Sequence, residues 1–142
     1  DQEPFVIEYN CRMGDPETEA VFPRIKSDFV ELLIAIQKGN LHDAQLEVID
    51  ETAGTIILVS GGYPGDYLKG LEIHGLENVS GSLVYHSGTA AKSDKIITNG
   101  GRVLAITTRA DDFKKAIEVS KQNAEKINWA GKYFRKDIGF DL

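Results

Sequence analysis

The feature that most restricts this fold is a change of rhythm about a third of the way along the chain. From about residue 20 to residue 38, Ile25, Phe29, Leu32, Leu33 and Ile36 recur at three- and four-residue steps, the spacing of one helical face. Gly39-Asn40 follows as the stop, because both residues tolerate the left-handed conformation that ends helices. Beyond residue 50 the pattern shortens into runs rich in Val, Ile and Thr at 53–60, 82–86, 95–98 and 102–108, separated by glycine-bearing turns. These predict the strands of one sheet. A second amphipathic helix is expected over 111–128, with Asp111 as N-cap and Phe113, Ala116, Ile117, Ala124 and Ile127 facing inward. The tail around Tyr133 to Gly139 is too apolar for free coil and should pack back on the sheet.

Upstream of the first helix, Phe5-Val6-Ile7-Glu8-Tyr9-Asn10 reads as a buried strand, and Arg12 to Thr18 as a loop in which Gly14, Asp15 and Pro16 crowd together. The expected class is therefore α+β: a strand-loop-helix unit over residues 1–45, then a small antiparallel sheet with one long helix over 46–142. A chain of 142 residues can bury roughly two-thirds of its unfolded surface, enough for one domain or for one domain plus a fragment of another. The first residue is not Met and the predicted strand begins within a few residues of it, which suggests a piece of a longer polypeptide.

Composition excludes several classes. Sixteen Lys plus Arg against 22 Asp plus Glu give a net charge of -6, and the basic residues are dispersed, so no nucleic-acid partner is expected. Apolar runs such as Thr55 to Val59 are too short to span a bilayer, so no membrane partner is expected either. A single cysteine, Cys11, and three scattered histidines fit a reducing, cytoplasmic setting better than a disulfide or zinc framework. Asn78-Val79-Ser80 then matches a glycosylation sequon by chance.

Chemistry concentrates between residues 8 and 17. In an extended strand Glu8 and Asn10 share a face, roughly 6.5 to 7 Å apart along the backbone, with Arg12 next in the series. A carboxylate and an amide oxygen at that spacing suit magnesium, and a neighbouring arginine can grip a carboxylate or phosphate through paired hydrogen bonds. The same residues would also serve as the solvated face of an ordinary half-buried strand.

The stretches FVIEYNCRMGDPETE, KSDFVELL, SGGYPGDYLKG, IHGLENV, VYHSGTA, TNGGRVLAIT and YFRKDIGF, in this order, resemble the C-terminal third of the phosphoribosylamine-glycine ligase family, also called glycinamide ribonucleotide synthetases. These are ATP-grasp ligases, which join glycine to 5-phosphoribosylamine with conversion of ATP to ADP and phosphate in purine synthesis, through a glycyl phosphate. The resemblance implies that residues 1–45 end an ATP-grasp domain and that 46–142 form a terminal ligase domain of rudimentary barrel-sandwich type. It assigns Glu8 and Asn10 to magnesium or manganese ions that bridge ATP phosphates. Arg12 takes the catalytic, substrate-facing position, holding the glycine carboxylate or the acyl phosphate.

Asp15 and Glu17 stand beside Arg12 as substrate-binding candidates, with turn formation as the competing role for Asp15. Arg102, after Gly100-Gly101, is placed by analogy with related ligases on the ribose 5-phosphate; a surface arginine paired with a carboxylate is the plainer reading. The family usually has glutamine where this chain has Glu19, and often phenylalanine where it has Met13. Tyr63 and Tyr67 are expected to anchor the glycine-rich loop, His86 to be partly buried and hydrogen bonded, Lys136 and Asp137 to pair, and Cys11 to be packed.

The phosphate-covering loop, ATP-holding lysines and adenine pocket of such ligases are not in these 142 residues, so the piece alone is expected to be inactive, its partners being glycine, 5-phosphoribosylamine, ATP and the preceding part of the same chain. Two alternatives remain at this level: a non-catalytic ligand-binding module, or another ATP-grasp amide ligase.

Overall fold

A computed structural model describes residues 4–141. At its centre lies an antiparallel sheet in the order β1 (Thr52–Val59), β5 (Arg102–Ala110), β2 (Leu83–His86). β5 takes the middle place and is the most continuously buried strand: Val103 to Thr108 are all buried, as a strand covered on both faces requires. Register pairs Thr55 with Thr107, Ile56 with Ile106 and Leu58 with Leu104, while Tyr85 of β2 faces Ala105.

The single sheet expected from the sequence is in fact two. β3 (Thr89–Lys92) and β4 (Lys95–Thr98) form a separate two-stranded hairpin. The split occurs at Ser87-Gly88, whose N–H groups both donate to the Val103 carbonyl, ending the β2 ladder. Thr-Ala-Ala-Lys carries little of the β-branched or aromatic content that marks strands, which is why β3 escaped the sequence pattern.

The helix α3 (Phe113–Lys126) packs on one face of the sheet and is capped by Asp112, not Asp111, through the Lys115 N–H at 2.9 Å. Its inward side is partly polar. Ser120 donates to the Gly54 carbonyl at 2.7 Å, and a Cβ at Gly54 would lie 2.8 Å from the Ile117 nitrogen, so glycine sets the closeness of helix and strand. Asn123 donates to the Ser80 carbonyl at 2.8 Å and to Ser82 Oγ at 2.6 Å, tying the approach to β2 onto the helix. Ile56, Leu58, Leu104, Ile106, Ile127, Trp129 and Phe134 form the core between them. The tail does return to the sheet: Val59 and Tyr133 exchange backbone hydrogen bonds of 2.9 and 3.1 Å. Its ion pairs differ from expectation, Asp137 pairing with Arg135 at 2.7 Å and Lys136 with Glu125 at 3.3 Å.

The opposite face of the sheet is covered by residues 15–24. The predicted helix over 20–38 is broken there into α1 (Thr18–Val21), a 3-10 turn (Phe22–Arg24) and α2 (Phe29–Lys38). Pro23 contributes no N–H to a ladder, and Asp28 starts a new helix by accepting from the Val30 and Glu31 N–H groups. Gly39 ends α2 with φ 73°, as anticipated. Residues 4–10 form no strand and are exposed, Ile7 at 96%. A strand persists only when its backbone groups are paired, and no described segment pairs with this one.

Candidate functional site

Arg102 owes its position to an irregularity. Leu58 pairs with Leu104, but Val59 pairs with Arg102, so the register slips by one residue where β5 begins. Such a bulge re-aims side chains at a sheet's rim. Arg102 thereby lies over the face covered by residues 15–24: its Nη1 donates to the Asp15 carbonyl at 3.0 Å, and its Nη2 lies 3.2 Å from Asp15 Oδ2. Thr107 and Arg109 continue the stitching, donating to the carbonyls of Glu19 and Pro23 at 3.0 Å each. β5 thus holds the segment 15–23 by its side chains alone.

Beside Arg102 opens a cavity of about 590 Å³, lined by Asp15, Thr18, Glu19, Tyr63, His86 and Arg102 among others. Gly101 forms part of its floor because a Cβ there would collide with the Tyr63 ring. Tyr63 in turn meets Tyr67 edge-on with ring centroids 6.1 Å apart, a contact inside the glycine-rich loop; the loop touches the approach to β5 where the exposed Tyr63 ring lies on Gly101. His86 is exposed, not half-buried, and its Nδ1 lies 3.0 Å from Thr89 Oγ1. Glu19 lines the cavity in part, while its Oε2 is buried and unpartnered. Behind it, burial first and the Glu19 charge second raise the pKa of Tyr85 above its ordinary value of 10.0.

The remaining sequence candidates do not line this cavity, although Arg12 and Glu17 bond to Met13 and Gly14, which do. Asn10 Nδ2 approaches Glu8 Oε1 at 3.5 Å, so the two side chains do stand together, on exposed backbone. The amide nitrogen is turned toward Glu8, so the amide oxygen points away from the carboxylate and the pair offers two oxygens to one ion only with that amide reversed; among the described residues no cluster of three His, Cys, Asp or Glu forms around any metal position. Two protein oxygens suit an ion that fills the rest of its shell with water and phosphate oxygens. Arg12 folds back on its own chain, donating to the Met13 carbonyl at 2.9 Å. Glu17 accepts from the Gly14 N–H at 2.9 Å, a turn-forming contact. Cys11 is exposed, not packed, because the strand that would have buried it is not formed.

The structure therefore unites Asp15 with Arg102 across 87 residues and leaves Glu8 and Asn10 as a separate pair. Sequence reasoning passed over Thr18 and Glu19 as cavity residues. Their one local signal was position, three and four residues beyond Asp15 at a helix start; the side-chain bonds from β5 that place them there have no sequence signature.

Residues 53–141 match the family model described as phosphoribosylglycinamide synthetase, C domain. A phosphoribosylamine-glycine ligase of Caldanaerobacter subterraneus subsp. tengcongensis is 48% identical over 95% of this chain and 32% of the relative. The trifunctional purine biosynthetic protein adenosine-3 of Gallus gallus is 42% identical over 96% of the chain and 14% of the relative. The crystal structure of phosphoribosylamine-glycine ligase from Thermotoga maritima superposes with a TM-score of 0.75 at 32% identity, over 96% of this chain and 34% of that one. The chain spans about a third of the length of these ligases. With a family model matching well over half its residues, the chain belongs to the phosphoribosylglycinamide synthetase C-domain family.

Proposed function

We propose that this chain is the C-terminal part of an ATP-dependent carbon-nitrogen ligase that joins glycine to 5-phosphoribosylamine in de novo purine biosynthesis, in a cytoplasmic setting. The supporting observation is the cavity at the β1–β5 bulge, where Arg102 and Asp15 meet beside a glycine floor. A guanidinium at the rim of an open, polar cavity suits the 5-phosphate of the amine substrate. Residues 1–45 would close an ATP-grasp domain whose larger part, with the nucleotide pocket, is supplied by the preceding polypeptide of the relatives' length.

Glu8 and Asn10 are the residues that would hold magnesium or manganese, through one carboxylate and one amide oxygen. When bound, such an ion neutralises charge on the ATP phosphate oxygens. Arg12 would orient the glycine carboxylate, or the glycyl phosphate made from it, for attack by the substrate amine. Arg102 would fix that amine's sugar phosphate in reach, so the chain's own contribution is positioning by charge-assisted hydrogen bonds. No side-chain nucleophile is required. On this reading the 142 residues by themselves hydrolyse no ATP in the presence of glycine; glycine-dependent hydrolysis by the purified chain would count against it.

The test joins this chain to the preceding two-thirds of the Caldanaerobacter ligase and measures glycinamide ribonucleotide formation. Arg102→Met is expected to lower kcat/KM for 5-phosphoribosylamine by roughly 10- to 100-fold while leaving KM for ATP in place, the scale of one charged hydrogen-bond partner. Glu8→Ala is expected to abolish turnover. An unchanged kcat/KM in Arg102→Met would remove Arg102 from the substrate site, and full activity in Glu8→Ala would return the chain to the class of binding modules.

A further inference from the structure

Glu19 and Pro23 present backbone carbonyls that their own segment cannot use. A helical Glu19 carbonyl accepts from residue 23, but Pro23 has no N–H, and the Phe22 N–H is already given to Thr18. The N–H groups nearest in sequence to the Pro23 carbonyl, those of Lys26 and Ser27, both donate to Glu47 instead. β5 takes both orphaned oxygens: Thr107 Oγ1 donates to the Glu19 carbonyl and Arg109 Nη1 to that of Pro23, at 3.0 Å each. The registers match, because four residues of helix rise about 6 Å and two residues of strand about 6.7 Å, and positions 107 and 109 share a face. A hydroxyl carries one proton, so Thr107, having given its own to Glu19, accepts from Thr55 Oγ1 at 2.8 Å. A line of hydroxyls thus runs from β1 through β5 to α1.

Upstream, α1 is bound tightly to the loop before it. The Thr18 N–H and hydroxyl both donate to the Gly14 carbonyl, and the Gly14 N–H donates to the Glu17 carboxylate. Whatever fixes Glu19 therefore fixes Gly14, two residues from Arg12.

We infer that Thr107 and Arg109 are positioning residues, which hold the segment following Glu8, Asn10 and Arg12 in register with Arg102 and so couple glycyl phosphate formation to its capture by the amine. This rests on the ligase reading and adds to it two residues that touch no substrate. Formation of glycyl phosphate needs the residues upstream of Gly14 and the preceding polypeptide, so it continues when these bonds are lost. Capture needs both sides of the site in register, and water then takes the place of the amine. It adds to the acyl carbon, the bond to the phosphate oxygen breaks, phosphate leaves with that electron pair, and the released protons pass to solvent. Glycine is regenerated and ATP is consumed without product.

The test uses the joined enzyme described above and measures ADP and glycinamide ribonucleotide in the same samples, with hydrogen exchange of the peptide spanning 14–25 read by mass spectrometry. The wild type is expected to release one ADP per product. Thr107→Val should lower product kcat roughly 10- to 100-fold, the scale of a misplacement of about 1 Å, and raise ADP per product at least about threefold. KM for ATP and for glycine should stay in place while the 14–25 peptide exchanges faster. Thr107→Ser, which keeps the donor, should restore a ratio near one. Thr107 is 1% exposed, so Thr107→Val risks misfolding; Arg109→Met alters a side chain that is 43% exposed and should raise the ratio by about twofold.

Parallel loss of ADP and product at an unchanged ratio is what simple destabilisation gives, and in a folded Thr107→Val it would overturn the inference. So would unaltered exchange of the 14–25 peptide, or, should Thr107→Val not fold, an unchanged ratio in Arg109→Met. None of these results touches the ligase reading, whereas a joined wild type that forms no glycinamide ribonucleotide would remove that reading and the inference with it.

Discussion

Both α2 and β5 carry Leu, Ile and Val, five of ten residues in α2 and three of nine in β5, yet these end in opposite environments. On α2, Val30, Leu33 and Ile36 are 61%, 49% and 57% exposed, whereas on β5 Val103, Leu104 and Ile106 are at 0%. The difference is one of partners: β5 has a strand on each edge, α3 on one face and residues 15–24 on the other, while α2 touches chiefly the short turn that follows it. Apolar periodicity thus records which side chains could be buried together, and a partner decides whether they are. The same contrast separates two halves of the function, since the Arg102–Asp15 cavity is built on the covered side and Glu8, Asn10 and Arg12 stand on exposed backbone.

The widest gap between the two regions should appear in core truncations. Ile106→Ala removes a fully buried side chain between Ile56, Val84 and α3 and is expected to cost about 2–5 kcal/mol in urea unfolding, while Ile36→Ala, at 57% exposure, should cost under about 1 kcal/mol. Similar losses at both positions would mean that α2 is covered in solution, and the contrast would dissolve.

A finer comparison uses two polar residues that tie backbone to a helix. Asn123 is 1% exposed and satisfies groups of Ser80 and Ser82, so Asn123→Ala, which strands them, should cost about 2–3 kcal/mol. Asp28 caps the exposed α2, and Asp28→Ala should cost about 1 kcal/mol. Denaturation midpoints of the two variants, measured at one pH, give the order directly.

These assignments differ in how far the residues themselves announced them. The strands β1, β4 and β5, the end of α2 at Gly39 and the docking of the tail were legible because each rests on local composition or on one periodicity. The break of the first helix was less so: Pro23 and the Ser27-Asp28 pair are breaker and cap signals that the longer apolar pattern outweighed. The strand expected over 5–10 has the right composition but no pairing partner among the described residues. At the site, Asp15 and Arg102 were each legible as chemistry-bearing residues. Their meeting was not, since it depends on a one-residue slip in the β1–β5 register and on side-chain bonds spanning more than 80 residues. Glu19 enters the cavity by the same route.

The smallest predicted effect concerns pH and again falls on the covered side. Glu72 sits in the segment that bridges to β4 and accepts from Lys95 at 2.6 Å; that hydrogen bond, more than the nearby charges, holds its carboxyl below the ordinary value of 4.5. Asp137 is held below 3.8 chiefly by its hydrogen bonds from Arg135. A carboxyl whose folded pKa is depressed binds fewer protons folded than unfolded, so its contribution is complete above the unfolded value and disappears as pH falls through the folded one. Stability should therefore decline as pH drops below about 4.5, and Glu72→Gln should shallow that decline without altering the plateau near neutrality by much, because both side chains of the pair are substantially exposed. Tyr85 works in the other direction. Its raised pKa keeps the folded state protonated longer than the unfolded one, so stability should fall as pH rises above 10, and Tyr85→Phe should blunt that alkaline loss. Urea midpoints from pH 3 to 11 for the three proteins test both limbs. An acid limb unchanged by Glu72→Gln would show that the β3–β4 hairpin, like α2, contributes little to the cooperative unit, and the line between covered and uncovered regions would then have to be drawn inside the sheet domain itself.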